Sequence, residues 1–399
     1  MRYKPDGYLM SGDKTIARIE NGLLTDTDNA RLPFYLQCCN DLSGWLRSRA
    51  ADRGRGHVRL IETASGLTAA DDAEFAMFVH AAKLTDNFWI KREGERLTYA
   101  QIRFKQNPLA DTALSGVKPH FQPGKRTDAL YSPEFTNTGS FEKCWRREKD
   151  GWWLYKSGNP DNHYAELFME RIGLAFGIPM AHYELAEGGK CIRSKDLTND
   201  GEVNLDHASG LIGDAYDDYR LNYQAFSRMS PDMAAAYLDM LYMDALCCNT
   251  DRHENNYGVL RSAQTGETIS FAPLFDHNLA LFAGCSPASG VPSTSDRLID
   301  SFCSFVYDKN LPFRQPYLPK FQIEEIAKSI PIPYDSKAVT EFIFDRQERL
   351  KRYLTRVNYA VMPDEPEFST LDARIAAASA HIPSPPKPSP IIDPVRYIR

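Results

Sequence analysis

The spacing from Asp251 to Asn256, followed twenty residues later by Asp276, constrains this chain more than any other feature of it. The stretch Asn249-Thr250-Asp251-Arg252-His253-Glu254-Asn255-Asn256 places an amide five positions after a carboxylate. Phe271-Ala272-Pro273-Leu274-Phe275-Asp276 then reads as a strand that ends in a second carboxylate. This order suits phosphoryl transfer. The first carboxylate accepts the proton of an attacking hydroxyl, while the Asn oxygen and the second Asp hold a divalent cation on the nucleotide phosphates. A hydroxyl near neutral pH is a poor nucleophile, so a positioned base is required. An isolated Asp or Asn in a loop is ordinarily a turn former, and it is the pair with the later Asp that is specific.

Arg252 and His253 follow the acidic residue, whereas ordinary protein kinases place His-Arg before it. The order Asp-Arg-His-x-x-Asn with a following Pro-x-x-Asp resembles the HipA-like serine/threonine kinases, over about residues 130–350. The phosphoinositide lipid kinases share the inverted order. After Asp276 stand His277 and Asn278, so the Asp-Phe-Gly element of ordinary protein kinases is absent.

The resemblance implies an order of parts that the upstream sequence can be read against. Residues 135–145 centre a turn on Gly139, where backbone N–H groups could cradle phosphate; an ordinary hairpin turn fits the same residues. Trp152-Trp153-Leu154-Tyr155-Lys156 follows as a strand, and Lys156 takes the place of the lysine on the α/β-phosphates. A helix starting near Asn162 as N-cap and stopping at Gly177 carries Glu166, the counterpart that orients the lysine. Taken singly, Lys156 reads as a solvated strand end and Glu166 as a solvated helix residue. Their order along the chain joins them.

Elsewhere the signals are structural. Residues 70–83 predict a capped amphipathic helix behind Asp71-Asp72, and Phe88-Trp89-Ile90-Lys91 with Leu97-Thr98-Tyr99 predicts a hairpin around Glu93-Gly94-Glu95. Strands are expected at residues 181–185 and 190–192, and residues 193–199 stand where the hinge between lobes belongs. Ser230-Pro231-Asp232 opens a helix towards the catalytic loop, with Asp244 near its end. Residues 323–330 and 339–357 have helical patterns, residues 284–295 form a Ser/Gly/Pro-rich loop, and the tail is rich in proline.

The net charge of −6 argues against a nucleic-acid-binding surface as the main role. No apolar run approaches the roughly 18 residues of a spanning helix, and no secretory signal is evident, so a cytoplasmic protein with no membrane contact is expected. None of the eight cysteines forms a C-x-x-C knuckle, which predicts buried thiols rather than zinc ligands.

These readings predict an α+β, two-lobed protein-kinase-like fold: an accessory region to residue 128, a small lobe over 129–195, a mainly helical large lobe over 196–360, and a tail. The resemblance implies ATP and Mg²⁺ as cofactors. It makes Asp251 the base, Asn256 and Asp276 the metal ligands, Lys156 the phosphate ligand, Glu166 its orienting partner, and Gly139-Ser140 the phosphate cover. It also implies a protein Ser/Thr hydroxyl as acceptor, a helix-turn-helix antitoxin repressor as partner, and Ser140 as a self-inactivating phosphosite. The rivals are a lipid or small-molecule kinase and a non-catalytic kinase-like binding module.

Overall fold

A computed structural model describes residues 6–65, 69, 71–118, 131–283 and 295–355. The loop expected at 284–295 lies almost wholly outside them, and the proline-rich tail lies outside entirely. Three antiparallel sheets and a set of helices make up the described part. The first sheet has the order β3-β2-β1-β4, from β1 (Gly7–Ser11), β2 (Lys14–Glu20), β3 (Leu23–Thr25) and β4 (Phe88–Arg92). The second has the order β5-β6-β8-β7, from β5 (Lys143–Glu148), β6 (Gly151–Ser157), β7 (Tyr183–Ala186) and β8 (Cys191–Lys195). The third, β11-β10-β9, comprises β9 (Val203–His207), β10 (Gly258–Ser262) and β11 (Thr268–Phe271).

Burial of apolar faces divides the molecule into two main cores. One joins the accessory region to the second sheet: Leu9, Trp89 and Ile90 pack in the same cluster as Trp145, Trp152 and Tyr155. The other is helical and contains Leu238, Tyr242, Phe302, Ile343 and Leu350. The helix Pro160–Ala175, expected with the small lobe, buries Tyr164, Phe168 and Ile172 in this second core. It therefore spans the junction, with Glu166 at the sheet side of a helix anchored in the opposite lobe.

Several local expectations change. The helix Pro160–Ala175 is capped by Asn159, not Asn162; Asn162 is the reciprocal member of the capping box, and Pro160 takes the first position, where its missing N–H costs nothing. The predicted 70–83 helix is only Asp72–Ala76 with a following 3-10 turn, because His80 and Ala81 adopt φ of 56° and 55° and break it. The predicted hairpin at Glu93-Gly94-Glu95 does not form. β4 pairs with β1 instead, and the Thr98–Gln101 capping box turns the would-be second strand into the helix Tyr99–Ile102. Cys38 and Cys39 are exposed, while the other described cysteines are buried. No helix among the described residues is long and apolar enough to cross a membrane.

Candidate active site

A cleft of about 400 Å³ opens where the second sheet, the helical lobe and the accessory region meet. That volume lies within the range of small-molecule sites. Gly139, Ser140, Lys156, Asp251, Asn256 and Asp276 line it, with Glu166 directly behind Lys156.

The centre of the site is an ion-pair triad. Lys156 Nζ donates to Glu166 Oε1 at 3.2 Å and to Asp276 Oδ1 at 2.8 Å. The second Glu166 oxygen accepts the His277 backbone N–H at 2.9 Å, so both oxygens of this fully buried carboxylate are committed. Burial and the nearby Asp276 raise the Glu166 carboxyl above its ordinary value, against the pull of Lys156. For Asp276 the balance is reversed: burial opposes its charge, but Lys156 and Lys143 outweigh burial and hold it far below the usual carboxylate range. The same carboxylates overcome desolvation at Lys156 and keep its amine well above the normal lysine value.

Asp276 reaches this place by tertiary pairing. β11 stops at Phe271, five residues earlier than the sequence pattern suggests. The chain then makes a single parallel bridge between Met180 and Leu274 and turns with Asp276 at φ 61°, a left-handed conformation uncommon for a residue with a side chain. The Asp276 backbone N–H donates to Tyr183 Oη at 3.1 Å, and the buried Tyr183 hydroxyl also serves Glu166. Nothing in the sequence marks Tyr183, since an aromatic at a strand start is ordinary.

The loop from Asn249 is set by the helix Pro231–Cys247, which ends with Cys248 in the left-handed region. The buried Asp244 carboxylate takes Asn249 Nδ2 at 2.8 Å and two guanidinium contacts from Arg252 at 2.9 Å each. It thus bonds side chains of the loop. Arg252 also donates to the carbonyls of Asn256 (2.6 Å) and Phe275 (3.0 Å), and to His277 Nε2 (2.9 Å). A guanidinium only donates, so His277 Nε2 accepts and the ring proton sits on Nδ1. The arginine after the acidic residue therefore clamps the loop 249–256 to the Asp276 turn. Asp251 itself is half-buried; desolvation and the Asp276 charge raise its carboxyl, and the His253 and Arg252 charges partly offset this. Asn256 Nδ2 donates to the Asp251 carbonyl at 3.0 Å, and no hydrogen bond among the described residues uses its Oδ1. The oxygen of that amide is thereby left available.

Above the triad, Gly139 takes φ 107°, where a side chain is strained, and a Cβ there would lie 2.2 Å from Lys143 Nζ. The N-terminal flank of this turn is a 3-10 turn (Pro133–Thr136), not a strand. Two side chains without a sequence-level assignment, Arg55 and Glu134, hold it, and a third, Lys143, lies beneath it. Arg55, from the accessory region, donates to the carbonyls of Asn137 (2.7 Å) and Phe141 (3.1 Å), one on each side of Gly139. Buried Glu134 accepts from Asn137 Nδ2, Asn107 Nδ2 and the Trp145 N–H. Lys143 faces Lys156 across the β5–β6 pair. Like charges directly opposite are destabilising, and burial pushes the Lys143 amine down to about 8. The only sequence signal for Lys143 was a lysine in an otherwise apolar strand start.

No family model matches the chain, and no curated protein matches it. Among solved structures, it is similar to the Helicobacter pylori proinflammatory kinase CtkA, at 18% identity and a TM-score of 0.41, over 54% of this chain and 94% of that one. It is also similar to HipA of the Shewanella oneidensis MR-1 toxin–antitoxin system, solved with HipB and operator DNA, at 10% identity and a TM-score of 0.46, over 94% of this chain and 96% of that one. Independently of those likenesses, a sheet lysine that meets a helix glutamate and the carboxylate of the opposite lobe makes this a kinase-like protein.

Proposed function

We propose that the chain is an ATP- and Mg²⁺-dependent phosphotransferase acting on a serine or threonine hydroxyl of a protein. The observation that carries this is Lys156 bridging Glu166 and Asp276 beneath the Gly139 turn, with Asp251 on the facing loop. The residues present fit a nucleotide. Lys143 and Lys156 stand opposite each other on β5 and β6 at the cleft, and Asn256 Oδ1 has no hydrogen bond among the described residues.

Bound Mg·ATP would supply the transferable phosphoryl group and its leaving group. Lys156 would hold α/β-phosphate oxygens, and Glu166, pinned by the His277 N–H, would hold Lys156 in place. Asn256 Oδ1 and Asp276 would bind the cation, Asp276 giving up part of its contact with Lys156 to do so. Backbone N–H groups at Gly139 and Ser140 would cover the phosphates. Asp251 accepts the proton of the incoming hydroxyl, and its raised carboxyl makes it a better base than a fully solvated aspartate.

A protein acceptor and a helix-turn-helix repressor as partner are what the resemblance to the HipA-like kinases implies; the inverted Asp-Arg-His order by itself is shared with lipid kinases. The test is transfer from γ-labelled ATP to protein, lipid and metabolite pools, with Asp251→Ala alongside and phosphoproteomics after expression of both forms. Label in protein Ser/Thr that depends on Asp251 supports the proposal. Label confined to lipid or metabolites refutes the acceptor, and absence of label from every pool refutes the activity. Co-purification with a DNA-binding partner tests the repressor.

A further inference from the structure

The accessory region forms a wall of the cleft, and it brings a lysine with it. Lys83 lines the cleft and is half-buried, while Ala81, Ala82 and Leu84 around it are buried. The backbone on either side of it is tied down. The Ala81 carbonyl accepts from Arg49 at 2.5 Å and the Ala82 carbonyl from Thr136 of the phosphate turn at 2.6 Å. The Leu84 carbonyl accepts from Thr198 at 3.2 Å and the Thr85 carbonyl from the Leu205 N–H at 2.9 Å. Accessory region, phosphate turn, hinge and third sheet thus converge on one short segment whose single charged side chain faces the cleft.

Lys83 has no hydrogen bond or ion pair among the described residues. The one carboxylate that acts on its charge, Asp86, is occupied by Arg49 through two contacts of 2.8 and 2.7 Å. Lys83 interacts electrostatically with both Lys143 and His207, which line the same cleft. The His207 ring meets the backbone of Asn255 in the catalytic loop, so Lys83 stands between the phosphate turn and that loop. Lys156 occupies the inner end of the cleft with Glu166 and Asp276. Lys83 and Lys143 line the same cleft.

We infer that Lys83, contributed by the accessory region, binds the terminal phosphate of the nucleotide together with Lys143, so that this region completes the phosphoryl-transfer site. The inference rests on the kinase reading above. Its chemistry follows from charge: Lys83 is a half-buried amine with no ion-pair partner among the described residues, Lys143 is a buried amine whose carboxylate neighbour Asp276 is already bonded to Lys156, and an anion held between two such amines stabilises both. Burial and the neighbouring Arg49 and Lys143 push the Lys83 amine down to about 7, against the pull of Asp86, as expected for a cation that lacks its partner.

The test compares Mg²⁺-supported binding of ADP and of the non-hydrolysable ATP analogue AMP-PNP to the full chain by calorimetry. In Lys83→Met, AMP-PNP affinity should fall on the order of tenfold while ADP affinity stays as in the wild type; Lys83→Arg, which keeps the charge, should retain most of the AMP-PNP affinity. Lys83→Gln serves as the second charge-removing variant, and thermal melts check folding. Equal loss for both nucleotides, or no loss, overturns the inference. So does unchanged nucleotide affinity with a raised KM for acceptor, which would assign Lys83 to the acceptor. A wild type that binds neither nucleotide overturns the kinase reading itself.

Discussion

Arg252 is a side chain whose removal the structure makes costly. Its guanidinium is buried and makes two contacts to Asp244, one to each of the Asn256 and Phe275 carbonyls, and one to His277. Arg252→Met keeps the side-chain volume and deletes every donor. The Asp244 carboxylate, 4% exposed, would then retain only Asn249 Nδ2. Breaking a buried pair by removing one member costs about 3–5 kcal/mol, because the remaining charge is uncompensated. Most of the loss should therefore come from Asp244, and Asp244→Asn in the Arg252→Met background should recover about 1–3 kcal/mol of it as a coupling energy. Urea unfolding followed by tryptophan fluorescence, on the wild type, both single variants and the double, measures this cycle. Nucleotide affinity should fall in the same variant, since Asn256 and the Asp276 turn lose their common clamp. A loss below about 1 kcal/mol for Arg252→Met, or a double variant that simply sums the singles, would refute the view that this arginine neutralises Asp244 and ties the two loops together.

Other outcomes follow from the same geometry. Asp251→Ala should abolish transfer while the melting temperature stays put, because Asp251 is a half-buried loop residue; wild-type turnover in that variant would remove it as base. The transfer rate should fall as pH drops through the Asp251 carboxyl, which burial raises above its ordinary value of 3.8, so an acid limb at or below that value would contradict the assignment. Arg55→Met should weaken nucleotide binding on the order of tenfold by releasing both flanks of the Gly139 turn, and unchanged affinity would show that the turn holds itself. If the phosphate turn is self-phosphorylated, the phosphate should map to exposed Ser140 and not to Thr136, whose buried hydroxyl is bonded to the Ala82 and Pro133 carbonyls; mass spectrometry after incubation with Mg·ATP decides.

Local chemistry was legible where one residue type serves one local purpose. Ser230 with Pro231 did start the helix that delivers the catalytic loop, and Gly177, at φ 79°, follows the end of the helix that carries Glu166. The turn at Gly139 could be placed because its backbone conformation excludes side chains. Boundaries failed where a distant partner outcompeted local preference. Phe88–Arg92 pairs with β1, some eighty residues earlier, and the expected hairpin neighbour became a capped helix.

By itself the sequence determined the candidate chemistry: an Asp, an Asn and a second Asp in order after a lysine strand and a glutamate helix. These are local patterns, set by spacing along the chain. Only the tertiary structure decided that Arg252 clamps the loop to the Asp276 turn, that Tyr183 supports both Glu166 and Asp276, and that Arg55 and Lys83 bring the accessory region into the cleft. Each of those roles depends on a charge or hydroxyl finding its partner across a fold junction. Buried polar groups must be satisfied wherever the chain brings them, and a linear sequence does not state which distant backbone carbonyl or carboxylate will be there.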